Sequence, residues 1–307
     1  MSGFQTTMYN QPAPAIEGDW CSANPRYSML AGAGELKAGP NGVSVGRFAW
    51  ADPSGIVSNS GGVGRLGFVG KDQVVLNPLW LEQAGLVVQA GLDVTLYSSA
   101  DVWCRFAGGA TQGQKVYANY ADGTALSAVT GSPPQAASFT AAIAENTAVF
   151  TASIGDYVTG LSGNLMTVSA MTSGTIIPGS VISAGAAAGT VVLSQQSGTT
   201  GGVGVYIVSQ RQIVASTSMT TEYGTMTVSA VASGALGVGD LVAGTSVPAG
   251  TQVIGLGTGL GGTGTYYVNC YAVVASEAMT ATGAVETNWY VETYCGPGEL
   301  AKISTRS

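Results

Sequence analysis

The chain has 307 residues and a formal net charge of −7, and only 9% of its residues are charged, against roughly a quarter in ordinary soluble domains. Its ten Lys and Arg form no basic cluster, which excludes the counterion-releasing contact that a polyphosphate partner needs, so no nucleic acid is expected. The absence of His excludes Ser/His/Asp and Cys/His nucleophile systems.

Hydrophobic residues at 46% argue against disorder. The 46 glycines, set among Ala, Val, Ser and Thr, point to short strands joined by tight turns. Residues 1–30 read as an extended N-terminal arm. Pro12, Pro14 and Pro25 disfavour helix there, and Phe4, Tyr9, Trp20 and Tyr27 are large side chains with little local structure to bury them. Such an arm either lies on a neighbour or packs on its own domain. The start has no cationic region followed by an apolar core, so no signal peptide is expected.

Residues 31–158 read as a β-rich domain. The stretch Val43–Trp50 alternates before the turn Asp52-Pro53-Ser54-Gly55. Strands are predicted at 66–70, 73–76, 94–97, 101–106 and 114–119, with one helical turn at Leu79–Ala84. Turn signals about every ten residues suit a sandwich, jelly roll or barrel.

Residues 160–222 and 223–283 resemble each other at an offset of 60. Leu165-Met166-Thr167-Val168-Ser169-Ala170 returns as Thr225-Met226-Thr227-Val228-Ser229-Ala230, and Gly174, Gly179, Tyr206 and Met219 return as Gly234, Gly239, Tyr266 and Met279. Each copy carries four or five strand-like stretches, enough for a small β-domain. Thr175–Ser194 is apolar and uncharged, but Pro178, Gly179, Gly185 and Gly189 interrupt it, so no membrane span is expected. The last stretch, 284–307, regains charge. It is expected to return to the first domain, making the repeats an insertion in a surface loop. The fold class is therefore all-β: a sandwich-, jelly-roll- or barrel-like base with two tandem small β-repeats inserted near the C-terminus.

No chemistry-bearing constellation emerges. Cys21, Cys104, Cys270 and Cys295 have no zinc-like spacing and are expected to be free thiols. The carboxylates form no evident acid pair. Gly257-Thr258-Gly259-Leu260-Gly261-Gly262 matches a dinucleotide-binding pattern in letters only, since a strand rather than a helix follows it. No enzyme activity, cofactor or metal is expected. Tyr206, Tyr266, Tyr267 and Tyr271 are candidates for a sugar-binding surface, set against the plainer reading that they pack in the repeat cores.

The first domain resembles the phage structural cement (capsid decoration) proteins. The residues that carry the likeness are Ala15–Glu17 with Asn24-Pro25-Arg26, Gly46-Arg47-Phe48-Ala49-Trp50, Gly67-Phe68-Val69, and Gly113–Ala118 with Asp122-Gly123, together with Thr287–Val291 and Gly298–Ser304. The resemblance implies binding to major capsid protein on the outer surface of the virion, as a homodimer or homotrimer. It suggests an interface through Phe4, Tyr9, Trp20, Arg26 and Tyr27. The alternative is a head-fibre or tail adhesin whose repeats bind host-surface glycans or receptors.

Overall fold

The computed structural model describes residues 15–61, 64–72, 86–134, 136–156 and 163–306. No helix occurs among them; the fold is all-β. The strands before residue 135 are β1 (Tyr27–Ser28), β2 (Lys37–Ala38), β3 (Val43–Ser44), β4 (Phe48–Ala51), β5 (Ile56–Ser58), β6 (Arg65–Val69), β7 (Val87–Val88), β8 (Leu96–Ser99), β9 (Asp101–Phe106), β10 (Lys115–Asn119) and β11 (Ala125–Ala128). There follow β12 (Ala136–Gly155), β13 (Gly163–Ser173), β14 (Val181–Ala184), β15 (Val192–Gly198), β16 (Gly204–Gln212), β17 (Val214–Ser233), β18 (Leu241–Gly244), β19 (Val253–Leu256), β20 (Gly264–Val268) and β21 (Val274–Thr282). The chain ends in β22 (Ala284–Val291) and β23 (Glu299–Ser304). The strand expected at 73–76 and the helical turn at 79–84 lie outside the described residues.

Two sheets build the base. A six-stranded sheet has the order β1-β8-β6-β4-β5-β2, and β10-β11-β9-β23-β22 close into a barrel. The last two strands, from beyond residue 283, pair with β9 and β10. Sheet and barrel meet through aromatic side chains: Phe48 and Phe68 cross edge-on at 5.2 Å, and Trp289 from the barrel lies 5.5 Å from Phe68. Alternation along β4 explains why both faces of this sheet are buried. Phe48 and Trp50 enter the core shared with the barrel, while Ala49 and Ala51 enter a second core with Val57, Val69 and Leu96. The alternating stretch 43–50 is two strands, not one. Gly46 between them has φ +81, and a Cβ there would stand 2.8 Å from Glu17, so the chain turns where alternation alone predicts continuity.

Strand β12 belongs with the strands that follow it and not with the base to which the sequence reading assigned it. Its pairing runs to β13, β17 and β21. Its two halves are near copies at an offset of eleven residues: Ala137, Phe139, Thr140, Ala141 and Ile143 recur as Ala148, Phe150, Thr151, Ala152 and Ile154. Eleven is odd and side chains alternate with period two, so the two apolar sets point to opposite faces of one strand. Ala137, Phe139, Ala141 and Ile143 fill one core, and Ala148, Phe150, Ala152 and Ile154 fill another. β17 runs antiparallel to β12 along almost its whole length. The two cores thus sit on opposite sides of a β12–β17 ribbon.

Each core is ringed by six strands. In unit 1, β14, the first part of β17, the second half of β12, β13, β16 and β15 follow one another, and a Val181–Val191 bridge completes the circuit. In unit 2 the order is β18, β21, the first half of β12, the rest of β17, β20 and β19, completed by Leu241–Gln252. Registers correspond: Phe150 lies opposite Met171 and Met219, and Phe139 opposite Val231 and Met279. The hydroxyls of Ser169 and Ser229 donate at 3.2 Å to the carbonyls of Thr151 and Thr140. The boundary drawn at residue 222 therefore falls inside one continuous strand, because β17 serves both rings.

Truncating either buried phenylalanine leaves a cavity in one ring only. Phe139→Ala and Phe150→Ala are each expected to cost about 3–5 kcal/mol in denaturant unfolding. Hydrogen exchange should locate the loosening in unit 2 for the first and in unit 1 for the second.

Candidate functional site

The segment from residue 15 to 30 is laid along its own base. Gly18 N–H donates to Trp103 O at 2.8 Å, Trp103 N–H to Asp19 O at 2.8 Å, and Cys21 N–H to Asp101 O at 3.1 Å. Trp20 bridges to Val102, its ring lies over Gly70 and edge-on to Tyr97 at 4.7 Å, and the Arg26 guanidinium stacks 4.3 Å above it. Of the five residues expected at an interface, Trp20 and Arg26 are thus engaged by their own domain. A large ring with a glycine beneath it and a cation above it has its contacts within the chain. Phe4 and Tyr9 lie outside the described residues. Tyr27 is 59% exposed on β1, the last strand at one edge of the six-stranded sheet, and Leu30 just beyond it is 91% exposed. Leu30 carries no sequence signal: one apolar residue in a Met-Leu-Ala run does not declare its facing.

Asp101 ties this segment down. Its carboxylate accepts from Ser22 Oγ at 2.5 Å, Asn24 Nδ2 at 2.5 Å and Ser304 Oγ at 2.7 Å, and Arg306 stands 3.8 Å away. Arg306 also donates to the Pro25 carbonyl. Burial pushes the Asp101 pKa up, but the donors Ser22, Ser304 and Asn24, with the Arg306 charge, outweigh it and hold the group below its ordinary value. A depressed carboxylate contributes stability above its unfolded pKa and loses it as pH falls through the folded one. Asp101→Ala is expected to cost about 1–3 kcal/mol at neutral pH by leaving donors unpaired, to raise hydrogen exchange at residues 18–29, and to differ less from the parent in strong acid.

The base and the two units form a triangle. Unit 2 is seated on the base: Gln252 Nε2 donates to Gly61 O at 2.9 Å and to Gly239 O at 2.7 Å, and Leu241 packs on the base core. Gly239, at φ +96, approaches Ala121 so closely that a Cβ would stand 2.6 Å from it. The corresponding Gly179 of unit 1, at φ +94, approaches Ile254 of unit 2 in the same way. Equivalent glycines thus dock unit 1 on unit 2 and unit 2 on the base, where any side chain would hold the bodies apart. On the third side, Ser194 Oγ reaches Asn41 Oδ1 at 3.5 Å. Between the three bodies lies a cleft of about 890 Å³.

At the unit 2 seat, Asp240 is buried where unit 1 has Ser180. Burial raises its pKa to about 6 against the opposing Gly237 N–H, which it accepts at 2.7 Å. A raised carboxylate stabilises the fold most when protonated, and that contribution is lost as pH rises through the folded pKa. Asp240→Asn, which keeps the acceptor and removes the charge, is expected to raise Tm at pH 8 and to bring little gain at pH 5.

Tyr206 and Tyr266 are fully buried and donate at 2.7 Å to Gly202 O and Gly262 O, so they are core residues and not sugar platforms. Tyr267 packs edge-on to the buried Tyr223, and Tyr271 is exposed. All four cysteines are free. Among the described residues, no three His, Cys, Asp or Glu side chains converge to hold a metal ion.

No curated protein and no solved structure matches the chain. The family model of the XM1 gp53 minor capsid protein matches residues 4–163, just over half of the 307. That span covers the N-terminal segment, the base strands before residue 135 and β12, the strand on which both units are assembled. A base held together by buried aromatic contacts, with a long shared strand leading out of it, is thus the matched part of a phage virion structural protein, and the chain belongs to the XM1 gp53 minor capsid protein family.

Proposed function

We propose that the chain is a cement or decoration protein that binds the outer surface of the phage head and staples major capsid protein subunits as a homo-oligomer. In this reading residues 15–134 and 284–306 are the capsid-binding base, and residues 136–282 are an insertion carried away from the shell. The observation that carries it is the exposed apolar pair Tyr27 and Leu30 beside β1. Sheet order puts β1 at the edge opposite β5 and β2. The insertion reaches the base near Asn41 and Gly61, around β2 and β5. Among the described residues no further strand pairs beside β1, while the units meet the base around β2 and β5 and at Ala121. An edge strand flanked by exposed apolar side chains suits addition of a partner's backbone and burial of its side chains.

Charge poverty fits the same role. Seven ion pairs are formed among the described residues, six of them within the base. Six of the nine Lys and Arg among the described base residues sit in these pairs, and stripping unpaired charges of water is the main electrostatic cost of an interface.

The test is binding of the purified chain to capsids lacking it. Tyr27→Asp and Leu30→Asp are expected to weaken binding about tenfold or more. Leu260→Asp, at an equally exposed apolar position of unit 2, should bind as the parent does. Equal decoration by all three variants would remove the β1 edge from the interface. Because residues 15–30 are packed on the base, truncation should stop at residue 14, where it reports on binding and not on folding.

A further inference from the structure

We propose that the cleft between the base and the two units binds a neutral oligosaccharide, a role beyond capsid attachment. At about 890 Å³ the cleft lies within the range of ligand sites, and it occupies a junction between bodies, where such sites concentrate. Its chemistry narrows the class. Among the described residues, two charged side chains line it, Asp52 and Arg211, one of each sign. That is too little positive charge for a phosphate or sulfate chain and too little negative charge for a basic one. The rest of the polar lining is hydroxyl and amide: Ser54, Ser58 and Ser60 on the base, Ser209 and Gln210 on unit 1, and Gln252 on unit 2. These groups donate and accept equally well, as sugar hydroxyls do.

The apolar part of the lining is divided among the three bodies. Trp50 and Tyr120, stacked at 5.9 Å, lie on the base side. Leu193 faces the cleft from unit 1 and Ile254 from unit 2, while the neighbouring Val192 and Val253 are buried in the unit cores. A lipid would call for a continuous apolar wall, which the serines and glutamines interrupt.

The three bodies are not held equally. Base and unit 2 share one hydrogen bond, from Gln252 to Gly61, and a close glycine contact, and unit 2 and unit 1 share another such contact. Unit 1 and the base meet at Ser194 and Asn41, at 3.5 Å. A ligand bridging Ser60 and Gln210 would add a link between unit 1 and the base, sharing or replacing the bonds these groups now make, Ser60 Oγ with Ser58 Oγ and Gln210 Nε2 to Ala188 O, each at 3.0 Å.

The full chain is applied to a printed array of neutral and acidic glycans, and each hit is titrated by calorimetry. Binding confined to neutral glycans is expected. Ser60→Trp, which fills the cleft from an exposed position on the base, should abolish it, and Gln210→Ala on the opposite wall should weaken it. Leu260→Ser, on an exposed loop, should leave it unchanged. Far-UV circular dichroism and Tm confirm that each variant is folded; if Ser60→Trp is not, Gln210→Ala decides. Absence of any neutral hit, preference for acidic glycans, binding unaffected by the folded cleft variants, or capture only of peptides from an array tiling the capsid protein would each overturn the proposal.

Discussion

The whole insertion depends on how β12 is used. A strand exposes two faces, and β12 carries the same apolar sequence twice at an odd spacing, so each face is apolar along one half of its length. Neither half can be buried without its own ring of partners. β17 then follows β12 almost end to end and serves as the last strand of one ring and an early strand of the next. The two units are therefore interlocked and not merely strung in series. Slipping β12 by one residue against β17 would turn both apolar sets outward at once, which gives this pairing a steep penalty for misregister.

In the base, closure comes from the ends of the described chain. β22 and β23 complete a barrel that the earlier strands leave open, and Asp101 gathers donors from residues 22, 24, 304 and 306 onto one carboxylate. Burial alone would make such a carboxylate costly; three hydroxyl and amide donors with a nearby guanidinium reverse the balance. Asp240 shows the opposite case. It is buried with one backbone donor and keeps a raised pKa. The two residues share a side-chain type and differ in burial, in how many donors the fold brings to them and in the cation that stands beside Asp101 alone.

Across the surface, hydroxyls and amides replace charges, most of all in the units, whose one cation between residues 136 and 282 is Arg211. Such a surface is hydrated through neutral groups without strong fields.

Several features could be read from the residues alone. The all-β class follows from Gly-punctuated Val, Thr and Ala alternation, and the exclusion of histidine chemistry follows from composition. The 60-residue self-similarity is visible because Met-Thr-Val-Ser-Ala returns intact. The eleven-residue similarity within β12 is also present in the letters, but it is short and built of Ala, Thr and Ile. It becomes significant only when Phe139 and Phe150 are seen opposite equivalent partners. Local alternation encodes which side chains share a face, and it carries no information about which strand lies alongside or which body covers that face. Those depend on contacts distant in sequence. Tertiary structure alone therefore assigned β12 to the units, set Trp20 against Gly70 and Arg26, left Leu30 outside, and placed Ser60 across a cleft from Gln210.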